Sequence, residues 1–149
     1  MVKFVGEYKA RLDDKGRLVF PCAFKALLGS EEGPVRFVVK KNLFAPCIDI
    51  YTYQEWERES ESVKSRLNFF NKEHSLFWRE YMRDRALIEP DAKMGRITVP
   101  ARLLESIGVA KDVIFSGNDH KIELWAKEKF EESRMDNAGF ISLAEKILG

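Results

Sequence analysis

Gly16-Arg17-Leu18-Val19-Phe20-Pro21-Cys22-Ala23-Phe24-Lys25-Ala26-Leu27-Leu28-Gly29 returns later in the same chain as Gly95-Arg96-Ile97-Thr98-Val99-Pro100-Ala101-Arg102-Leu103-Leu104-Glu105-Ser106-Ile107-Gly108. Glycine, arginine, proline and the closing glycine coincide at a constant offset of 79 residues. Further on, Ile48-Asp49-Ile50-Tyr51 followed by Trp56-Glu57 matches Ile122-Glu123-Leu124-Trp125 followed by Phe130-Glu131, at an offset of 74. The change of offset places a longer loop in the first copy, around Asn42-Leu43-Phe44-Ala45-Pro46. Special residues that keep one order twice are the mark of an internal repeat.

Each copy predicts the same unit. An alternating strand over Glu7 to Leu12, with Tyr8, Ala10 and Leu12 on one face, enters a turn at Asp13-Asp14-Lys15-Gly16. These are residue types that tolerate left-handed backbone and cap their own amides. A strand from Arg17 to Phe20 leaves the turn, Pro21 suits the first position of a short helix, and Gly29 suits its stop. β-Branched and aromatic residues predict further strands over Val35 to Lys40 and Cys47 to Tyr53. The second copy repeats the pattern over Ala86–Ile88, Arg96–Val99, a helix Ala101–Ile107, Val113–Ser116 and Lys121–Trp125. Between the copies, Gln54–Leu67 and Asn71–Asp84 read as two helices, with Asn71 as N-cap of the second. Phe140 to Leu148 reads as a weakly amphipathic helix.

The expected organisation is therefore a first repeat over residues 7–54, inter-repeat helices over 55–84, a second repeat over 85–128 and a helical tail over 129–149. Neither half has enough strands to cover both sheet faces, and short strands leave edges that need partners. An α+β fold, mainly β, follows, in which the halves intertwine into one pseudo-symmetric β-barrel with helices between and after the repeats.

With 149 residues, 45% hydrophobic and 33% charged, the composition is that of one ordinary globular domain. Apolar runs are too short for a membrane span, the N-terminal residues show no secretory signal, and a cytoplasmic protein is expected. The net charge of +1 hides an asymmetry: residues 1–41 hold nine Lys or Arg against five Asp or Glu. A basic start suits an anionic partner such as nucleic acid.

Gly6-Glu7-Tyr8 with Leu12-Asp13-Asp14-Lys15-Gly16-Arg17-Leu18-Val19-Phe20-Pro21 resembles the opening of the MraZ family of bacterial transcriptional regulators, tandem members of the SpoVT-AbrB superfamily. Cys47-Ile48-Asp49-Ile50-Tyr51 with Glu55-Trp56-Glu57, and Gly117-Asn118 with Ile122-Glu123-Leu124-Trp125, resemble later signatures of that family in the same order. The resemblance covers roughly residues 6–131. It implies a swapped-hairpin, AbrB-like barrel made by one chain from its own two repeats. It also implies a nucleoid-associated regulator that binds short direct repeats of double-stranded DNA in the promoter of the division and cell wall gene cluster. Assembly into a ring-like homo-oligomer is implied too. The family motif is Asp-x-x-x-Arg, once per repeat. Asp13 and Arg17 meet it; in the second repeat Ala92 stands four residues before Arg96 and Asp91 five, so that turn is one residue longer.

The residues make a physical case of their own. A guanidinium at a hairpin base can be aimed at phosphate or at the O6/N7 edge of guanine. An aspartate at the turn start can hold the loop through backbone amides or orient the arginine. The expected DNA-binding residues are Asp13, Lys15 and Arg17 in the first hairpin and Lys93 and Arg96 in the second, extended by Lys3, Lys9 and Arg11. Whether the longer second turn leaves Arg96 on the DNA is open.

Catalysis finds little support. His74 and His120 are the only histidines, no HxH, HExxH or Cys/His cluster offers a metal site, and no cofactor or small-molecule substrate is expected. No GxSxG, P-loop or GxGxxG occurs. Cys22 and Cys47 stand among apolar residues and are expected to be buried structural thiols. Glu55, Glu57, Glu59 and Glu61 read as a solvated face, and Trp56, Phe69, Phe70, Phe77 and Trp78 as core or subunit interface. A competing function remains: a protein-interaction or scaffold module on the same barrel without specific DNA binding.

Overall fold

The two turns that open the repeats set the architecture. In the first, Gly16 takes φ +74° and in the second Gly95 takes φ +65°, a left-handed conformation that glycine adopts without strain. Strand β1 (Glu7–Arg11) enters the first turn and β2 (Arg17–Val19) leaves it; β5 (Ala86–Ile88) and β6 (Arg96–Thr98) flank the second. Each pair is followed by a short helix, α1 (Cys22–Leu27) or α4 (Ala101–Ser106), and a longer hairpin. Those hairpins are β3 (Phe37–Lys41) with β4 (Cys47–Thr52), and β7 (Asp112–Asn118) with β8 (Lys121–Ala126). Helices α2 (Tyr53–Lys64) and α3 (Lys72–Met82) join the repeats, and α5 (Lys127–Glu132) and α6 (Asn137–Leu148) close the chain. The structure, a computed structural model, describes residues 2–29, 34–91 and 95–149.

Strand pairing interleaves the repeats. One antiparallel sheet has the order β1-β7-β8-β4-β3-β5, and β2 pairs with β6 in a separate ribbon. Thus β1 of the first repeat sits on β7 of the second, and β5 of the second on β3 of the first. Equivalent residues of the two repeats face each other: Leu18 pairs with Ile97, and Asp49 with Glu123. Self-pairing of equivalent positions places a pseudo-two-fold axis through both pairs.

Ribbon and sheet share one core. Leu18 and Ile97 from the ribbon pack in one cluster with Val39, Ile48, Ile50, Phe115, Ile122 and Leu124 from the sheet. Phe20 fills the space between, its ring centroid 5.0 Å from Phe37 and 5.9 Å from Phe115. On the expected inner face of β1, Tyr8 stands edge-on to Phe24 at 5.0 Å, and Ala10 and Leu12 pack against the core.

The fold is α+β and dominated by antiparallel sheet, as the sequence predicts. The expected closed barrel is not what the hydrogen bonds form. Among the described residues the ladder is open, with β1 and β5 at its edges, and the ribbon lies on its inner face rather than joining it. Three-residue strands β2 and β6 satisfy each other across the dyad, which leaves the edges of the larger sheet unjoined. Boundaries shift slightly: α1 starts at Cys22, with Pro21 just before it, and β7 extends to Asn118.

Both inter-repeat helices are capped, the second by Asn71 as predicted. Thr52 Oγ1 accepts from the Glu55 amide at the start of α2, and Asn71 Oδ1 accepts from the amides of Glu73 and His74 at the start of α3. His74 Nδ1 accepts from the Asn68 amide at 2.9 Å and closes the break between the helices. The solvated glutamate face is corrected in part: Glu59 lies inward, 3.6 Å from the Lys40 ammonium, and Glu55 pairs with Arg58 at 2.8 Å. The cysteines also divide. Cys47 is buried in β4, but Cys22 is exposed, because the first turn of α1 shows that position to solvent.

Candidate nucleic-acid interface

The outward face of the β2–β6 ribbon carries the two motif arginines. Alternation sends Leu18 and Ile97 inward and leaves Arg17, Val19, Arg96 and Thr98 on the other side. The pseudo-dyad therefore relates Arg17 to Arg96 on one surface.

Each arginine is held by the aspartate that starts its turn. Asp13 Oδ1 accepts from the amides of Lys15 and Arg17 at 2.9 and 2.8 Å, and Oδ2 accepts from Arg17 Nε at 2.9 Å. The aspartate thus closes the loop and orients the guanidinium at once, where the sequence left these as alternatives. Chiefly through the Arg17 amide, against a smaller opposing effect of desolvation, its carboxyl is held below the ordinary carboxylate value. The longer second turn reaches the same result. Asp91 N–H donates to the Arg96 carbonyl at 2.8 Å, and Arg96 Nε donates to Asp91 Oδ2 at 3.2 Å. Arg96 Nη1 also lies 3.6 Å from Asp13 Oδ2, so the two repeats share a carboxylate. The Gly95 amide bonds back to the Asp91 carbonyl at 3.2 Å, as the Gly16 amide does to the Asp13 carbonyl at 3.0 Å.

The remaining expected residues scatter. Lys15 stands exposed at the tip of the first turn. Lys9 and Arg11 lie on the exposed face of β1, where Arg11 Nε is 3.8 Å from Asp112. Lys3 is a correction: it sits at the opposite end of β1, 3.8 Å from Asp119 in the β7–β8 turn, and does not extend the arginine surface. Geometry separates them, since β1 runs its whole length between Lys3 and the Asp13 turn. Lys93 lies outside the described residues. A further basic side chain stands beside the second turn. Lys25, near the end of α1, reaches over Gly95, where an added Cβ would come within 3.1 Å of its Nζ. Its only signal in sequence was a lysine one helical turn after Pro21.

At the other end of the pseudo-dyad lies a buried polar group. Asp49, 2% exposed, faces Glu123 across the strands, a like-charge pair that is unfavourable by itself. Lys121 Nζ answers it, 2.9 Å from Asp49 and 3.8 Å from Glu123, and Asn42 Nδ2 donates to both Asp49 oxygens. Donor atoms of Cys47, Asp49 and Glu123 lie within 4.8 Å of one another, a spacing that a metal ion could bridge. The cation in that position is the Lys121 ammonium. Burial pushes the Cys47 thiol well above its usual range, which opposes the thiolate that a metal would need. This cluster fastens the repeats together.

Comparison with known proteins places these features in one lineage. A family model for the MraZ protein, described as antitoxin-like, matches residues 3–80 and 83–146. The transcriptional regulator MraZ of Bacteroides thetaiotaomicron is 36% identical over 150 residues, spanning 99% of this chain and 94% of its own length. That of Flavobacterium psychrophilum is 34% identical over 152 residues, covering 100% and 94%. The Lachnoclostridium phytofermentans protein of the same name is 37% identical over 134 residues, covering 90% and 89%.

Proposed function

We propose that this chain, which belongs to the MraZ family, is a transcriptional regulator that reads double-stranded DNA with the outward face of its β2–β6 ribbon. The observation that carries the reading is the convergence of Asp13–Arg17 and Asp91–Arg96 on one pseudo-symmetric surface. Arg17, gripped through Nε, keeps its terminal nitrogens for a ligand and loses little freedom on binding, the condition for bidentate contact with guanine, whereas Arg96 also spends Nη1 on Asp13. Lys15 adds a point charge for phosphate. The targets are short direct repeats in the promoter of the division and cell wall gene cluster, bound in the cytoplasm at the nucleoid. Exchange of β1 and β5 between repeats supports a swapped-hairpin arrangement of the AbrB type.

Ring-like self-assembly belongs to the same proposal. Helices α3 and α6 bury none of their residues within the chain; Phe77 on α3, Phe140 and Ile147 on α6, and Phe70 just before α3 are exposed. Apolar area of this extent on a single chain is typical of an interface. A ring would present the ribbon several times to clustered repeats and gain avidity. Light scattering at micromolar concentration should give a multiple of 17.3 kDa; a monomer mass throughout would overturn the ring.

The test of DNA reading is a salt titration against the protein's own upstream DNA and a scrambled duplex. Arg17→Ala should stay folded and lose about 1–3 kcal/mol of preference for the upstream duplex, multiplied where several subunits engage. Arg96→Ala should behave alike, given the shared Asp13. Lys15→Ala should weaken both duplexes equally and lower the salt slope by roughly one. A folded Arg17→Ala with undiminished preference would sink the reading and favour a protein-interaction module.

A further inference from the structure

The ribbon's outward face holds more than its arginines. Arg17 stands directly opposite Thr98, and Arg96 directly opposite Val19. Val19 and Thr98 occupy equivalent places, two residues beyond the arginine of each repeat. Antiparallel pairing therefore sets each repeat's β-branched, methyl-bearing residue beside the other repeat's arginine. Val19 is 54% exposed, and Thr98 is exposed as well. Their methyl groups stand in solvent, on a face otherwise made of guanidinium and carboxylate groups, and serve no part of the core below. Residues facing each other in this way have Cβ atoms about 4.5–5.5 Å apart, close enough for the two side chains to meet neighbouring bases, which rise about 3.4 Å per step. In the major groove the one apolar feature of a base edge is the thymine 5-methyl group, and where thymine neighbours guanine it lies next to the O6 and N7 acceptors that arginine recognises.

We propose that Val19 and Thr98 are specificity-determining residues that contact thymine 5-methyl groups next to the guanines approached by Arg96 and Arg17. Each recognition unit then combines the arginine of one repeat with the methyl group of the other, and the pseudo-dyad supplies two such units per chain. This rests on the DNA-reading function proposed above, and it explains why the reading head needs both repeats.

The experiment uses the full chain and the protein's own upstream duplex, prepared once with thymidine and once with deoxyuridine throughout, beside a scrambled duplex. Deoxyuridine removes only the 5-methyl group. Fluorescence anisotropy should show wild-type protein binding the deoxyuridine form about fourfold more weakly for each methyl group contacted. Val19→Ala and Thr98→Ser should each weaken binding to the thymidine form and reduce that ratio, and the double variant should bind both forms alike. Val19→Ile, which keeps the branch, should retain the wild-type ratio. Circular dichroism confirms that each variant is folded, as expected for exposed positions. Equal wild-type affinity for the two forms, or an unchanged ratio in the folded double variant, overturns the methyl contacts while the DNA-reading function stands. A wild-type protein indifferent between upstream and scrambled duplex overturns both.

Discussion

Asp13 and Cys47 show how one side chain's surroundings set its chemistry. Amide and guanidinium donors around Asp13 favour its charged form, so the folded carboxyl should titrate below the ordinary value of 3.8. A depressed carboxyl contributes its stabilisation above the unfolded value and loses it as pH falls through the folded one. The first turn should therefore stay closed through neutral and mildly acidic pH. Carbon-detected NMR of the Asp13 carboxyl is the check, and a midpoint at or above 3.8 would refute the geometry. The two thiols should differ as sharply. Cys22 is exposed and should react with a thiol reagent at pH 8, whereas Cys47, buried and held protonated, should react only after unfolding. Mass spectrometry after native labelling should find one adduct, on Cys22; fast labelling of Cys47 would contradict its burial.

Among the elements, the β4–β8 pairing carries the most concentrated electrostatics. Lys121 stands against Asp49 and Glu123 with only a small part of its side chain exposed. Lys121→Ala would leave two buried or half-buried carboxylates facing each other, a change that typically costs about 3–5 kcal/mol. Thermal unfolding should show a large drop in Tm, and a shift of only a degree or two would mean that the pair is solvated. A second element-scale test lies at the end of β7. An added Cβ at Gly117 would meet the Phe4 and Val5 backbone at 2.6 Å, where the Gly117 amide bonds to the Gly6 carbonyl at 2.8 Å. Gly117→Ala should push the N-terminal segment off the sheet and destabilise by about 1–3 kcal/mol. Hydrogen exchange should show lost protection at Phe4 and Asp119, whose amides bond across this bridge. Unchanged protection would mean that the segment can shift at no cost.

Across the molecule, four of the six strand pairings among the described residues join one repeat to the other: β1–β7, β2–β6, β3–β5 and β4–β8. The other two, β3–β4 and β7–β8, pair within a repeat. A half-chain would keep one hairpin and expose every other ladder, below what an independent sheet needs. Fragments 1–70 and 82–149 should therefore lack cooperative thermal transitions when expressed separately, and should fold when mixed. A cooperative transition in either fragment alone, followed by circular dichroism, would show that the repeats are independent domains.

Local chemistry made the repeat, the turns, the caps and the strands legible in the sequence, because glycine, proline, aspartate and alternating apolar residues act over a few neighbours. Asp13, Gly16 and Arg17 announce their turn in this way, and Asn71 its helix. Which strand pairs with which was not legible, since partners lie far apart in the chain and the choice depends on burying both repeats' apolar faces in one core. The same reason explains the site. Sequence pointed to Arg17, left Arg96 open because of one extra turn residue, and placed Lys3 with them. Only the tertiary structure brings Arg96 to Asp13 across the β2–β6 ribbon and leaves Lys3 at the far end of β1.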